Sequence, residues 1–152
     1  MHKILISACL LGEKVRFDGK SKKINAEILE VWNAENRLIA LCPEVAGGLS
    51  VPRSPAEIQG ELVINILGED VSRAFTQGAQ KALELCQQHD IQIAILKEGS
   101  PSCGVSQIND GTFSHAKIAG QGVTVQLLQK HGVKVFSEHQ LNEAQAYLQS
   151  IF

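Results

Sequence analysis

Three of the four cysteines in this 152-residue chain stand just beyond short apolar runs. Cys9 follows residues 4–8, Cys42 follows residues 38–41, and Cys103 lies in a polar loop after residues 91–96. If those runs are neighbouring parallel strands about 4.8 Å apart, thiols separated by 33 and 61 residues converge on one sheet edge. Three thiolates around one point repel each other and need a cation. Zinc with a fourth ligand would serve, as would an iron–sulfur cluster with three protein-ligated irons. Three unrelated buried thiols are the plainer account of composition alone, and no CxxC pair gives the usual zinc signal. His115 offers a fourth zinc ligand, although its polar segment suits a solvent-facing side chain better. Cys86 falls on an apolar helical stripe and reads as core packing.

Other reactive types cluster near two of these thiols. Cys42-Pro43-Glu44 sets a carboxyl two residues from a thiol, and Gly47 and Gly48 then let the backbone approach a ligand. Ser100-Pro101-Ser102-Cys103-Gly104 places two hydroxyls around another. Small polar residues at strand ends suit substrate contact. A solvated Glu44 and turn-forming Ser100 and Ser102 account for the same residues. Cys103 as the nucleophile of a cysteine hydrolase is a further chemistry; it requires an activating histidine, which these motifs lack.

The elements that must hold these groups follow from periodicity. Residues 4–8, 38–41, 91–96 and 133–136 read as buried strands, the second ended by Pro43. Asn25 is placed to cap a helix with Ile28, Val31 and Trp32 on one face. Residues 43–60 read as a long loop, of the kind that is usually functional. Leu62, Ile64 and Ile66 alternate as a strand or hairpin arm. A helix opens at Asp70 and carries Val71, Ala74, Phe75, Ala79, Ala82, Leu83 and Cys86 on one stripe. Another runs from Val123 to His131 and closes at Gly132. Ser137 with Gln140 forms a capping-box pattern before a last helix lined by Leu141, Ala144 and Leu148. Strands alternating with helices predict a doubly wound α/β fold, Rossmann-like or flavodoxin-like. It has a mainly parallel sheet of about four strands, helices on both faces, and ligands bound outside the carboxyl ends of the strands.

A mass of 16.5 kDa fits one domain spanning residues 1–152. Hydrophobic residues make up 44% and charged residues 20%, which excludes a disordered chain. A formal charge of -2 without a basic stripe argues against duplex nucleic acid as partner, yet leaves room for a small phosphorylated ligand. No apolar stretch reaches the ~18 residues of a membrane span, and no pattern sets an oligomeric state. Residues 1–9 imitate a lipoprotein signal, but their short apolar run falls below the ~7 residues such a signal needs. A first buried strand of a cytoplasmic protein is the expectation, with cysteines as thiols or ligands rather than disulfides.

Taken in order, Ser7-Ala8-Cys9-Leu10-Leu11-Gly12, Arg16-Phe17-Asp18-Gly19, Cys42-Pro43-Glu44, Gly47-Gly48-Leu49, Pro52-Arg53, Pro55-Ala56-Glu57-Ile58, Ser100-Pro101-Ser102-Cys103-Gly104, Asp110-Gly111-Thr112-Phe113 and Gly120-Gln121-Gly122-Val123-Thr124 form a specific string. It resembles the bacterial thiouracil desulfidase family from about Ile4 to Glu138. The resemblance implies a 4Fe–4S cluster on Cys9, Cys42 and Cys103 with one iron open to the sulfur of a thiolated pyrimidine. The substrate it implies is a thiouracil or a 4-thiouridine nucleotide. The implied reaction is non-redox: sulfur is replaced by oxygen from water, and sulfide is released.

Glu44 and Ser100 match the family positions that handle protons and position the ring. A carboxylate suits the proton of an attacking water, and a hydroxyl suits a developing anion. Arg16, Arg53 and Lys97 are cations available to a phosphate, with Gly47, Gly48 and Ser102 as further substrate contacts. Val15 departs from the pattern: many relatives carry a cysteine there, so that position is no ligand in this chain. A non-catalytic iron–sulfur or zinc module acting as carrier or sensor is the competing expectation.

Overall fold

The computed structural model describes residues 1–151. In chain order it contains β1 (Ile4–Ser7), a 3-10 turn (Ala8–Leu11), α1 (Glu27–Ala34), β2 (Leu38–Leu41), α2 (Pro43–Ala46), β3 (Ala56–Gln59) and β4 (Leu62–Asn65). There follow α3 (Ser72–Gln88), β5 (Ile93–Leu96), β6 (Gln107–Asn109), β7 (Lys117–Ala119), α4 (Val123–Lys130), β8 (Lys134–Ser137) and α5 (Leu141–Ser150). Strands β2, β1, β5 and β8 form one parallel sheet in that order. The central pair, β1 and β5, is buried at every residue, which is why both read as unbroken apolar runs.

Alternation along the strands divides the core in two. Leu5, Ala94, Leu96 and Val135 pack with Ala82, Leu83 and Cys86 of α3 and Val125 and Leu128 of α4. Ile4, Ile6, Ile93, Ile95 and Phe136 pack with Leu29 and Trp32 of α1 and Ala144 and Leu148 of α5. The fold is therefore the expected doubly wound α/β architecture. No helix among the described residues is long and apolar enough to cross a membrane.

Several local expectations give way. Helix α1 is preceded by Ala26 without a side-chain cap, and it buries Leu29 and Trp32 while Val31 stays exposed. The bulk of Trp32 sets that face, and Leu29, three residues earlier, lies on the same side. Residues 43–60 are not all loop. Pro43 opens α2, because a missing N–H is harmless in a first helical turn, and β3 pairs with β4. Helix α3 starts at Ser72, whose N–H donates to Asp70 Oδ1 at 2.9 Å. Gln140 Oε1 accepts the Ser137 N–H at 3.0 Å, as the capping-box pattern requires, but α5 begins only at Leu141.

Two glycines seat α2 on α3. A Cβ at Gly47 would lie 1.9 Å from the Ala74 carbonyl oxygen, and one at Gly78 would lie 1.9 Å from that of Pro43. Backbone meets backbone there, and α2 carries Glu44 directly after Cys42.

Candidate active site

Strands β2, β1 and β5 are adjacent and parallel, so their carboxyl ends share one edge. Cys9 sits in the 3-10 turn after β1, which Gly12 closes in a left-handed conformation at φ 98°. Cys42 precedes α2, and Cys103 lies in the loop after β5. All are free thiols. Burial pushes Cys9 up to about 11, helped by the charge of Cys42. Burial likewise pushes Cys103 up to about 12; a Ser7 hydrogen bond opposes this, and the charges of Glu44, Cys42 and Cys9 add to it. Cys42 is raised by burial, against N–H donation from Val45 and Glu44 at the start of α2. A charge on Cys42 thus raises both Cys9 and Cys103, and a charge on Cys9 raises Cys103. Cys86 is separate: it is 2% exposed in the core, and burial alone raises it to about 11.

Glu44 stands beside this edge, its Oε1 accepting Arg53 Nε at 3.0 Å. The same guanidinium donates through Nη2 to the Val15 carbonyl at 3.0 Å and to Cys42 Sγ at 4.0 Å, and through Nη1 to the Ser50 carbonyl at 3.1 Å. On the β5 side, Ser100 Oγ accepts the N–H groups of Ser102 and Cys103, both at 3.1 Å. Its own O–H is left available to donate. Lys97 Nζ pairs with Glu138 Oε2 at 3.0 Å, and both charges reach Cys9. Arg16 also reaches Cys9, while pairing with Asp18 at 3.4 Å and lying over the Phe17 ring.

The Cys103 loop is wound around a carboxylate. Glu98 Oε1 accepts N–H groups from Gly99, Val105, Ser106 and Gln107 at 2.7–3.2 Å, and Oε2 accepts Ser106 Oγ at 2.9 Å. Burial pushes the Glu98 carboxyl up, but these donors outweigh it and hold it below the usual range. Glu57 does similar work for the 110–113 motif, accepting Gly111 N–H at 2.9 Å and Phe113 N–H at 3.1 Å. Ser7, Glu57, Glu98 and Glu138 were not among the expected site residues. Their partners lie 40 to 90 residues away, apart from the local turn around Glu98.

A model of the 2-thiouracil desulfurase family matches residues 4–140. The chain belongs to the 2-thiouracil desulfurase family. It is similar to the solved structure of the 4Fe-4S-dependent thiouracil desulfidase TudS, with a TM-score of 0.97 and 52% identity, covering 98% of this chain and 99% of that one. It is also 42% identical over 150 residues to the uncharacterized protein YbbK of Bacillus subtilis (strain 168), covering 92% of this chain and 98% of that protein.

The donor chemistry of this 2-thiouracil desulfurase family member fits an iron–sulfur cluster. Soft thiols are the donors such clusters take. Among the described residues no three His, Cys, Asp or Glu side chains stand close enough to share one metal ion. A four-iron cluster takes each thiolate on a different iron and so holds them wider apart. His115 is exposed beyond β6.

Three expected substrate contacts are otherwise engaged. Ser102 is 0% exposed and its Oγ bonds Thr124 Oγ1 at 2.8 Å, tying the Cys103 loop to α4. Gly47 is a glycine because α3 occupies the place of its Cβ. Arg53 has a side chain only 6% exposed, and the bonds named above engage all three of its guanidinium nitrogens. Gly48 remains open, at φ 103° with nothing within 4 Å of where a Cβ would lie.

Proposed function

We propose that this chain is an iron–sulfur-dependent desulfidase that replaces sulfur by oxygen in a thiolated pyrimidine, a thiouracil or a 4-thiouridine nucleotide, and releases sulfide. The observation that carries the reading is the placement of Cys9, Cys42 and Cys103 just beyond the carboxyl ends of three adjacent parallel strands, with Glu44 two residues after Cys42. Those three cysteines are the residues that would hold a 4Fe–4S cluster with one iron open. When bound, such a group supplies a Lewis acid for the substrate sulfur.

The protein supplies the rest. Glu44 accepts the proton of the water that adds to the ring carbon, and the carbon–sulfur bond then breaks with sulfur leaving as sulfide. The O–H of Ser100 donates to the ring, while its oxygen accepts from Ser102 and Cys103. Arg16 and Lys97, each with a side chain 24% exposed, are the cations available to a phosphate. Gly48 offers open backbone to the ligand. We place this activity in a single domain of residues 1–152 working in the reducing cytoplasm, with a small molecule rather than nucleic acid as partner.

The test is anaerobic reconstitution with iron and sulfide, then incubation with thiouracil and 4-thiouridine monophosphate while following the thiocarbonyl absorbance. Loss of that band with stoichiometric sulfide, absent in Cys103→Ala, is the expected result. A well-formed cluster that turns over neither compound would leave a carrier or sensor module as the better reading.

A further inference from the structure

Arg53 joins its own loop and the start of α2 to a loop 36–38 residues earlier in the chain. One guanidinium contacts the Glu44 carboxylate at 3.0 Å, the Val15 carbonyl at 3.0 Å, the Ser50 carbonyl at 3.1 Å and Cys42 Sγ at 4.0 Å. Its backbone N–H adds a bond to the Phe17 carbonyl at 2.7 Å. Loop 12–23, loop 47–55 and the start of α2 therefore meet on this one side chain.

A cation meant for substrate keeps donors free and faces solvent. This one is 6% exposed, and its planar fork is directed at a carboxylate, a thiol and two carbonyls. Removing it leaves the Glu44 carboxylate, itself 16% exposed, without its counter-charge. It also takes their guanidinium donors from the Val15 and Ser50 carbonyls, leaving Val15 only the Cys42 thiol at 3.7 Å.

We propose that Arg53 is a positioning residue: it fixes Glu44 relative to Cys42 and donates to the Cys42 sulfur, without touching substrate. The proposal rests on the desulfidase reading for its kinetic arm, and for its midpoint arm only on the part of that reading that puts a cluster on Cys42. A lysine in its place keeps the charge but cannot reach the carboxylate, the sulfur and the carbonyls at once, so Arg53→Lys and Arg53→Gln both test the fork.

Cluster-loaded wild type, Arg53→Lys and Arg53→Gln are compared in iron content, cluster midpoint potential and thiouracil kinetics. Hydrogen bonds to the sulfurs help set a cluster's potential, so both variants should load iron normally yet show a lower midpoint. A misplacement near 1 Å can cost on the order of 100-fold in rate, so kcat should fall by about that factor with KM within about threefold. A raised KM with kcat kept would make Arg53 a substrate contact and overturn the proposal. An unmoved midpoint in both variants would overturn it as well. If loaded wild type leaves thiouracil and 4-thiouridine monophosphate intact, the functional reading fails, while the midpoint comparison still decides the link between Arg53 and Cys42.

Discussion

Burial gives the four thiols of the metal-free protein a shared response to pH. Cys9 and Cys86 are pushed up to about 11 and Cys103 to about 12, against an ordinary value of 9.0. An unfolded chain would lose these protons first as pH rises. The stability present below about pH 9 is therefore lost progressively toward pH 11–12. Urea midpoints of metal-free protein at about pH 8 and about pH 10.5 should show that decline, and Cys86→Ala should lessen it. A flat profile would mean the thiols are more solvated than the fold indicates. At this scale the places of Cys9, Cys42 and Cys103 after strands were legible, because a thiol after an apolar run is a local pattern. The contacts of Ser102 and Arg53 were not legible, because Thr124 and Val15, which they bond, lie 22 and 38 residues away. No spacing rule links such pairs.

Among the elements, α2 has four residues and little stability of its own. What holds it is the backbone contact with α3 at Gly47 and Gly78. Gly78→Ala would drive a Cβ to 1.9 Å from the Pro43 oxygen, which forces α2 outward and carries Glu44 with it. Overpacking of this kind typically costs about 1–3 kcal/mol. We expect a lower urea midpoint and a fall in kcat of at least about tenfold, from a residue that touches neither cysteine nor substrate. Unchanged kcat with lowered stability would show that α2 can shift without consequence for the chemistry. The sheet strands and α3 were readable from periodicity over several residues. Helix α2 was not, since four residues starting at a proline look like a strand end followed by loop. The β6–β7 hairpin escaped because exposed Lys117, Ile118 and Ala119 carry no alternation between buried and exposed sides.

Across the whole molecule, two sources of order are separable. The sheet and its helices are held by two apolar clusters, one on each face, and of the three edge thiols only Cys9 and Cys103 belong to either. The loops at the carboxyl edge are held instead by polar anchors: Glu98 within 99–107, Arg53 across 15–53, and Ser7 and Glu138 onto 97–98. A group bound by all three thiols adds its binding free energy to the folded state only, and does so through those loops. Removing iron with a chelator should therefore leave the far-ultraviolet dichroism unchanged and the β1 and β5 amides protected from hydrogen exchange. Amides in residues 8–23, 42–55 and 97–107 should exchange faster in the metal-free protein and regain protection on loading. Loss of protection in β1 and β5 on chelation would mean that metal and sheet fold as one unit. The polar anchors would then be too weak to hold the edge in place before the cluster arrives.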